Sequence, residues 1–194
     1  MTDGRVRLLL ATRNAHKLRE FERLLPGVEL DPLPDDVPAP HEDGETYADN
    51  ALIKARGAAR ATGRAAIADD SGIEAAALDG APGVRTARYA GEDATDAENL
   101  AKLAAEAPAG TRLRYVCVIA HVDPEGRERL FEGTTDGVVA SDPRGAGGFG
   151  YDPLFVPDDG PGDGRTMAEL SDEEKDAISH RGRAARALQE WLER

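Results

Sequence analysis

Apolar residues cluster at Val6 and Leu8–Ala11, interrupted by Arg7, and predict a buried first strand. The polar stretch Thr12–Lys17 follows, and then Leu18, Phe21, Leu24 and Leu25 recur at helical spacing behind Asn14, a plausible N-cap. Val28-Glu29-Leu30 reads as a short second strand, and the Pro- and Asp-rich stretch 32–44 as loop. From Thr46 to Thr62 the pattern is helical, with Ala51, Leu52, Ala55, Ala58 and Ala59 on one face and Gly63 as the stop. Ala66-Ile67-Ala68 predicts a strand that stops on Asp69-Asp70 and turns at Ser71-Gly72. Ile73–Leu78 fits strand or helical turn, 79–83 is a turn, and Val84–Tyr89 reads as extended. Thr95 and Glu98 have capping-box spacing and open a helix to about Glu106. Leu113–Val122 and Arg127–Asp136 read as a hairpin around the turn 123–126, with 137–139 continuing into sheet. Thr166/Glu169 and Ser171/Glu174 repeat the capping-box spacing, and a terminal helix is expected from Asp172 through Leu192, broken near Ser179. Residues 1–194 are expected to form a single domain with two lobes, without internal repeat.

Composition narrows the function. The net charge is −13, with a sequence pI near 4.7. Neutralising many phosphates needs a basic face, so duplex nucleic acid and anionic membranes are not expected partners. A small phosphorylated ligand needs only a local cationic pocket. Lysine occurs at 17, 54, 102 and 175 alone, so each is informative. Cys117 is the one cysteine, which rules out an internal disulfide and a cysteine zinc cluster. Its apolar neighbours place it in the core. The four histidines form no HExxH motif or close pair. With no long apolar span and no signal-peptide pattern, a cytoplasmic protein is expected.

Candidate chemistry falls in five stretches. Asp69 and Asp70 repel one another, so a divalent cation or an arginine is the expected partner; an ordinary surface turn is the plain alternative. Lys17 in the first turn of a helix opposes the helix dipole, a conflict that a bound phosphate relieves; the alternative is a solvated lysine beside an ordinary cap. Asn50 and Lys54 share a helix face at i, i+4. Glycines 145, 147, 148 and 150 surround Phe149 and Tyr151, leaving room for a planar ligand against a ring or else a loop with core aromatics. Lys175, His180 and Arg181 lie on the terminal helix, where His180 alone would more often be a capping or packing residue.

Several stretches together resemble the inosine triphosphate pyrophosphatase family, the dITP/XTP pyrophosphatases that remove deaminated purine nucleotides. They are 11–17, 50–55, 68–72, 80–85, 87–91, 147–153 and 171–181, in family order over nearly the whole chain. Each is weak alone and the set is specific. The resemblance implies hydrolysis of ITP, dITP or XTP to the monophosphate and pyrophosphate with Mg²⁺. It also implies an α/β fold with a long twisted mixed sheet flanked by helices, two lobes with a central cleft, and a homodimer. On its terms Thr12, Asn14 and Lys17 hold phosphates, Asp70 is the metal-associated catalytic carboxylate, and Ser71 contacts substrate. Glu42 is the acidic metal partner. Phe149, Gly150, Tyr151 and Asp152 embrace base and sugar, and Lys175, His180 and Arg181 complete the pocket. Arg13 stands where the family usually has glycine, and Asp49 where glutamate is common.

The chemistry is coherent without the family. A triphosphate repels an anionic nucleophile, and magnesium would neutralise that charge while taking only one or two protein carboxylates. Asp70 with Glu42 or Asp69 supplies that number, and one carboxylate can accept the proton of the attacking water. Which of Asp69 and Asp70 does so stays open. Lys17, Lys54 and Lys175 are candidate phosphate clamps. A 6-oxo base accepts hydrogen bonds where adenine's 6-amino group donates them, so donors such as Arg181 would discriminate. The alternatives are a pyrophosphatase for modified pyrimidine or methylated nucleotides, and a nucleotide-binding module without turnover.

Overall fold

The computed structural model describes residues 6–38, 40–148 and 150–194. Strands β1 (Val6–Leu10), β2 (Val28–Pro32), β3 (Ala66–Ala75), β4 (Arg112–Val122), β5 (Glu128–Val139) and β6 (Phe155–Pro157) form one sheet, in the order β2-β1-β3-β4-β5-β6. The sheet is mixed: β1 runs parallel to β2 and β3, and β5 antiparallel to β6. The helices are α1 (Ala15–Leu24), α2 (Tyr47–Thr62), α3 (Asp96–Glu106), α4 (Asp172–Ile178) and α5 (His180–Leu192). None is long and apolar enough to cross a membrane.

The connections locate the site. The chain leaves β1 through α1 to β2 on one side, then returns through α2 to β3 on the other. Parallel crossovers are right-handed, so reversing direction places α1 and α2 on opposite faces of the sheet. The gap between β1 and β3 is therefore a topological switch point, where α/β sheets bind ligands outside the carboxyl ends of their strands. Pairing of β1 with β3 runs from Leu9↔Ala66 to Leu10↔Ile67, and the last bond is Ala11 N–H to Ile67 C=O at 2.8 Å. Beyond it β1 gives way to the Thr12–Asn14 turn, alongside the acids of β3.

The chain divides into two compact units, each with its own core. One comprises Met1–Asp70, Cys117–Glu132 and Ala184–Arg194, the other Ser71–Val116 and Gly133–Arg183. In the first, Leu8, Leu10, Phe21, Ile67, Ile119 and Leu188 are buried together, with Cys117 among them as expected. In the second, Ile73, Leu103, Tyr115, Tyr151, Leu154 and Phe155 are.

Local signals set most helix ends. Thr46, Thr95 and Ser171 each cap a helix by accepting from the N3 N–H, and Asp49, Glu98 and Glu174 return the bond. Gly63 ends α2 in the left-handed region at φ 65°. The break at Ser179 has a clear cause: its N–H closes α4 on Lys175 C=O at 2.8 Å, while its Oγ accepts from Gly182 N–H at 3.0 Å at the start of α5.

Two expectations are corrected. β3 does not stop on the acids but continues to Ala75, because Gly72, Ile73 and Ala75 are buried in the second unit while Glu74 is less so. Val84–Tyr89 is not extended: Gly83–Arg88 is a 3₁₀ helix, closed by Thr86 Oγ1 donating to Gly83 C=O at 2.7 Å. The same Oγ1 accepts from Ile73 N–H at 2.9 Å, tying this turn to β3.

Candidate active site

The first cluster belongs to the first unit. Asn14 caps α1, its Oδ1 accepting from His16 N–H at 2.9 Å and Lys17 N–H at 3.3 Å, while its own N–H donates to Thr12 Oγ1 at 3.2 Å. The turn thus presents Thr12, Asn14 and Lys17 together. Lys17 Nζ donates to both oxygens of Asp69, at 2.9 and 3.0 Å. From α2, Lys54 Nζ donates to Asp70 Oδ1 at 3.2 Å and Glu42 Oε2 at 2.8 Å. Adjacent residues in a strand point to opposite faces, so each aspartate meets the lysine of a different helix. The structure brings lysines to both acids, where the sequence suggested a divalent cation or an arginine. A pocket of about 280 Å³ is lined by Thr12, Arg13, Asn14, Lys17, Glu42, Lys54 and Asp69, with Leu33, Val37, Pro38 and Pro40 as its apolar wall.

Asn50, 4 % exposed, organises the acids. Its Nδ2 donates to Asp70 Oδ2 at 3.3 Å and its Oδ1 accepts from Gly44 N–H at 2.8 Å, joining the acidic loop to β3. A side chain at residue 44 would lie 2.6 Å from that Oδ1, so only glycine lets the loop approach. Asp49 is engaged in its helix cap, with Oδ2 accepting from Thr46 Oγ1 at 2.7 Å and Thr46 N–H at 3.2 Å.

Burial acts against both charges of the Lys54–Asp70 pair. For Asp70 it prevails over the charges of Lys54 and Lys17 and the Asn50 hydrogen bond, leaving the carboxyl above its ordinary value and more basic. For Lys54 the desolvation is outweighed by Asp70, Asp69 and Glu42, so the ammonium stays firmly charged. The donor set fits magnesium. Glu42 and Asp70 converge on one ammonium, so a cation already lies between two carboxylates. Among the described residues no three His, Cys, Asp or Glu gather as a closed cage. Mg²⁺ needs only one or two carboxylates when phosphates and water supply the remainder.

The second cluster belongs to the second unit. Asp152, 2 % exposed, accepts from Tyr115 Oη at 3.0 Å and from Lys175 Nζ at 2.6 Å. The Tyr115 ring stacks on His180, with centroids 4.5 Å apart and planes 8° apart, and tilts against Phe155 at 4.6 Å. Buried Arg181 donates through Nη2 to Ser71 Oγ at 3.0 Å. Gly148 has φ 75°, and a Cβ there would lie 2.1 Å from Asp152 Oδ2, so the glycine turn closes directly over the carboxylate. Tyr151 is buried in the unit's core, its hydroxyl donating to Thr86 C=O at 2.7 Å, and Gly150 adopts φ 57°. Phe149 lies outside the described residues.

The predicted residues thus gather in two groups. Thr12, Asn14, Lys17, Glu42, Lys54, Asp69 and Asp70 form one, and Ser71, Asp152, Lys175, His180 and Arg181 are held in the other. Sequence reasoning missed Tyr115, which sat inside an apolar run, and the double role of Asn50. The signal for Asn50 was its i, i+4 spacing from Lys54 on a face otherwise rich in alanine.

Comparison with known proteins adds to this geometry. The model of the Ham1 family matches residues 8–191. A dITP/XTP pyrophosphatase of Cutibacterium acnes is 50% identical, aligned over 94% of each chain. One of Symbiobacterium thermophilum is 52% identical over 94% of this chain and 93% of its own. The structure of a HAM1 protein from Coxiella burnetii superposes with a TM-score of 0.86 at 42% identity, covering 97% of this chain and 98% of that one.

Proposed function

We propose, since this chain belongs to the Ham1 family, that it hydrolyses dITP, XTP and ITP to the monophosphate and pyrophosphate. The observation that carries the reading is the convergence of Glu42 and Asp70 on Lys54, beside the pocket that Thr12, Asn14 and Lys17 line. That arrangement offers both the cations a polyphosphate needs and the carboxylates a magnesium ion needs.

The phosphates are assigned to the first cluster. Asn14 and Thr12 set the turn, and Lys17 and Lys54 bring ammonium groups to the phosphate oxygens. Glu42 and Asp70 would hold magnesium, which supplies charge neutralisation on the phosphates when bound. Asp70 accepts the proton as a water oxygen bonds to phosphorus. The α–β anhydride bond breaks and pyrophosphate departs, its charge met by Lys17 and Lys54. Asp69, held by Lys17, orients that lysine.

Base and ribose are assigned to the second cluster. Arg181 and Ser71 supply donors to a 6-oxo group, and an adenine amino group there would set donor against donor. Lys175 and His180 are held in position by Asp152 and Tyr115. We further propose a single two-lobed domain, a homodimeric assembly, and a role in cleansing the cytoplasmic nucleotide pool.

A panel of dITP, XTP, ITP, GTP, UTP and dTTP, with released pyrophosphate measured, tests the reading. Preference for the first three supports it. Equal rates on all six, or turnover of pyrimidines alone, would overturn it.

A further inference from the structure

Arg13 stands between Thr12 and Asn14 and lines the same pocket, yet no step above uses it. Its Nη2 donates to Val37 C=O at 2.7 Å and Asp35 C=O at 3.2 Å. These carbonyls belong to the loop that leads to Glu42.

The charge of Arg13 is also unlike that of its neighbours. Lys17 is matched by Asp69, and Lys54 by Asp70 and Glu42. Among the described residues the Arg13 guanidinium pairs with no carboxylate; its hydrogen bonds go to neutral carbonyls. Both use Nη2, and a guanidinium has donors on all three nitrogens. Arg13 thus brings uncompensated positive charge to the pocket rim, in a planar group suited to phosphate oxygens.

We propose that Arg13 both straps the 35–37 segment and binds the phosphate end of the substrate, so that polyphosphate binding and the placement of that pocket wall depend on one side chain. The ligand class is the terminal phosphates of a nucleoside triphosphate, or pyrophosphate itself. This rests on the reading that the first cluster takes phosphates.

Titration calorimetry with inorganic pyrophosphate, on the full chain and on Arg13→Ala and Arg13→Lys, tests it. Arg13→Ala is expected to weaken binding about tenfold or more, the change one charge-assisted hydrogen bond carries. Arg13→Lys keeps the charge but not the planar fork, and should recover binding only in part. Hydrogen exchange at 35–37 should quicken in both variants while thermal unfolding stays near that of the parent. Pyrophosphate affinity within about twofold of the parent in Arg13→Ala would overturn the inference, because it falls well short of one such bond. A parent chain that fails to bind pyrophosphate would overturn the pocket assignment itself.

Discussion

Replacing Asp152 by alanine should unsettle the second unit more than almost any other single change. The carboxylate is buried, and its partners include two of different kinds, the Tyr115 hydroxyl and the Lys175 ammonium. The Lys175 side chain is itself only 13% exposed, so water cannot replace the lost carboxylate. Breaking a buried pair from one side costs about 3–5 kcal/mol, because the surviving charge is left uncompensated. The orphaned Tyr115 hydroxyl adds about 1–3 kcal/mol if it finds no other partner. Contacting groups do not add simply, so we expect about 4 kcal/mol in total. For a chain of this length each kcal/mol moves the midpoint by about 2–4 °C, giving a fall of about 10 °C or more. Differential scanning calorimetry measures it. The double variant Asp152→Ala, Lys175→Met should recover much of the loss, since no buried charge then lacks a partner. A fall of less than about 2 °C in the single variant would mean that the pair behaves like a solvated surface bridge, and the reasoning would fail.

Asp70→Asn should lower kcat by about 10²- to 10⁴-fold, the span of a lost general base, while dITP still binds; full activity would remove Asp70 from its assigned role. Tyr115→Phe keeps the ring on His180 but deletes the bond to Asp152. Michaelis kinetics should show KM for dITP raised about threefold to tenfold, with kcat little changed. Tyr89 titrates as an independent probe of the second unit, since burial and the bond to Glu106 push its phenol up to about 12 from 10.0. Its folded pKa is the higher one, so its contribution to stability is intact below pH 10.0 and is lost as pH rises through about 12. An absorbance titration, differenced against Tyr89→Phe, should find that transition, and Glu106→Gln should bring it down towards 10.0.

What was legible in the sequence was mostly local. The cap at Asn14 and the capping boxes at Thr95 and Ser171 depend on residues two or three apart, and each appears where the sequence indicated; the helix break also falls at Ser179. The scarcity of lysine also singled out Lys17, Lys54 and Lys175, all of which meet carboxylates. Long-range contacts could not be read in this way. Turn residues at 71–72 suggested an end to β3, and only the buried environment of Ile73 and its bond to Thr86 carry the strand onward. Tyr115 gave no local sign that its hydroxyl would reach Asp152, 37 positions away.

The alternation along β3 constrains how the chain can change in length. Which face each of Asp69 and Asp70 serves is set by the pairing of Leu9 with Ala66 and Leu10 with Ile67. One residue inserted or deleted between Gly63 and Asp69, absorbed as a register slip, would exchange the two aspartates' faces and turn Ile67 out of the core. Length variation should therefore be excluded from that segment. The two carboxylates are thus guarded by a count of residues as much as by their own chemistry.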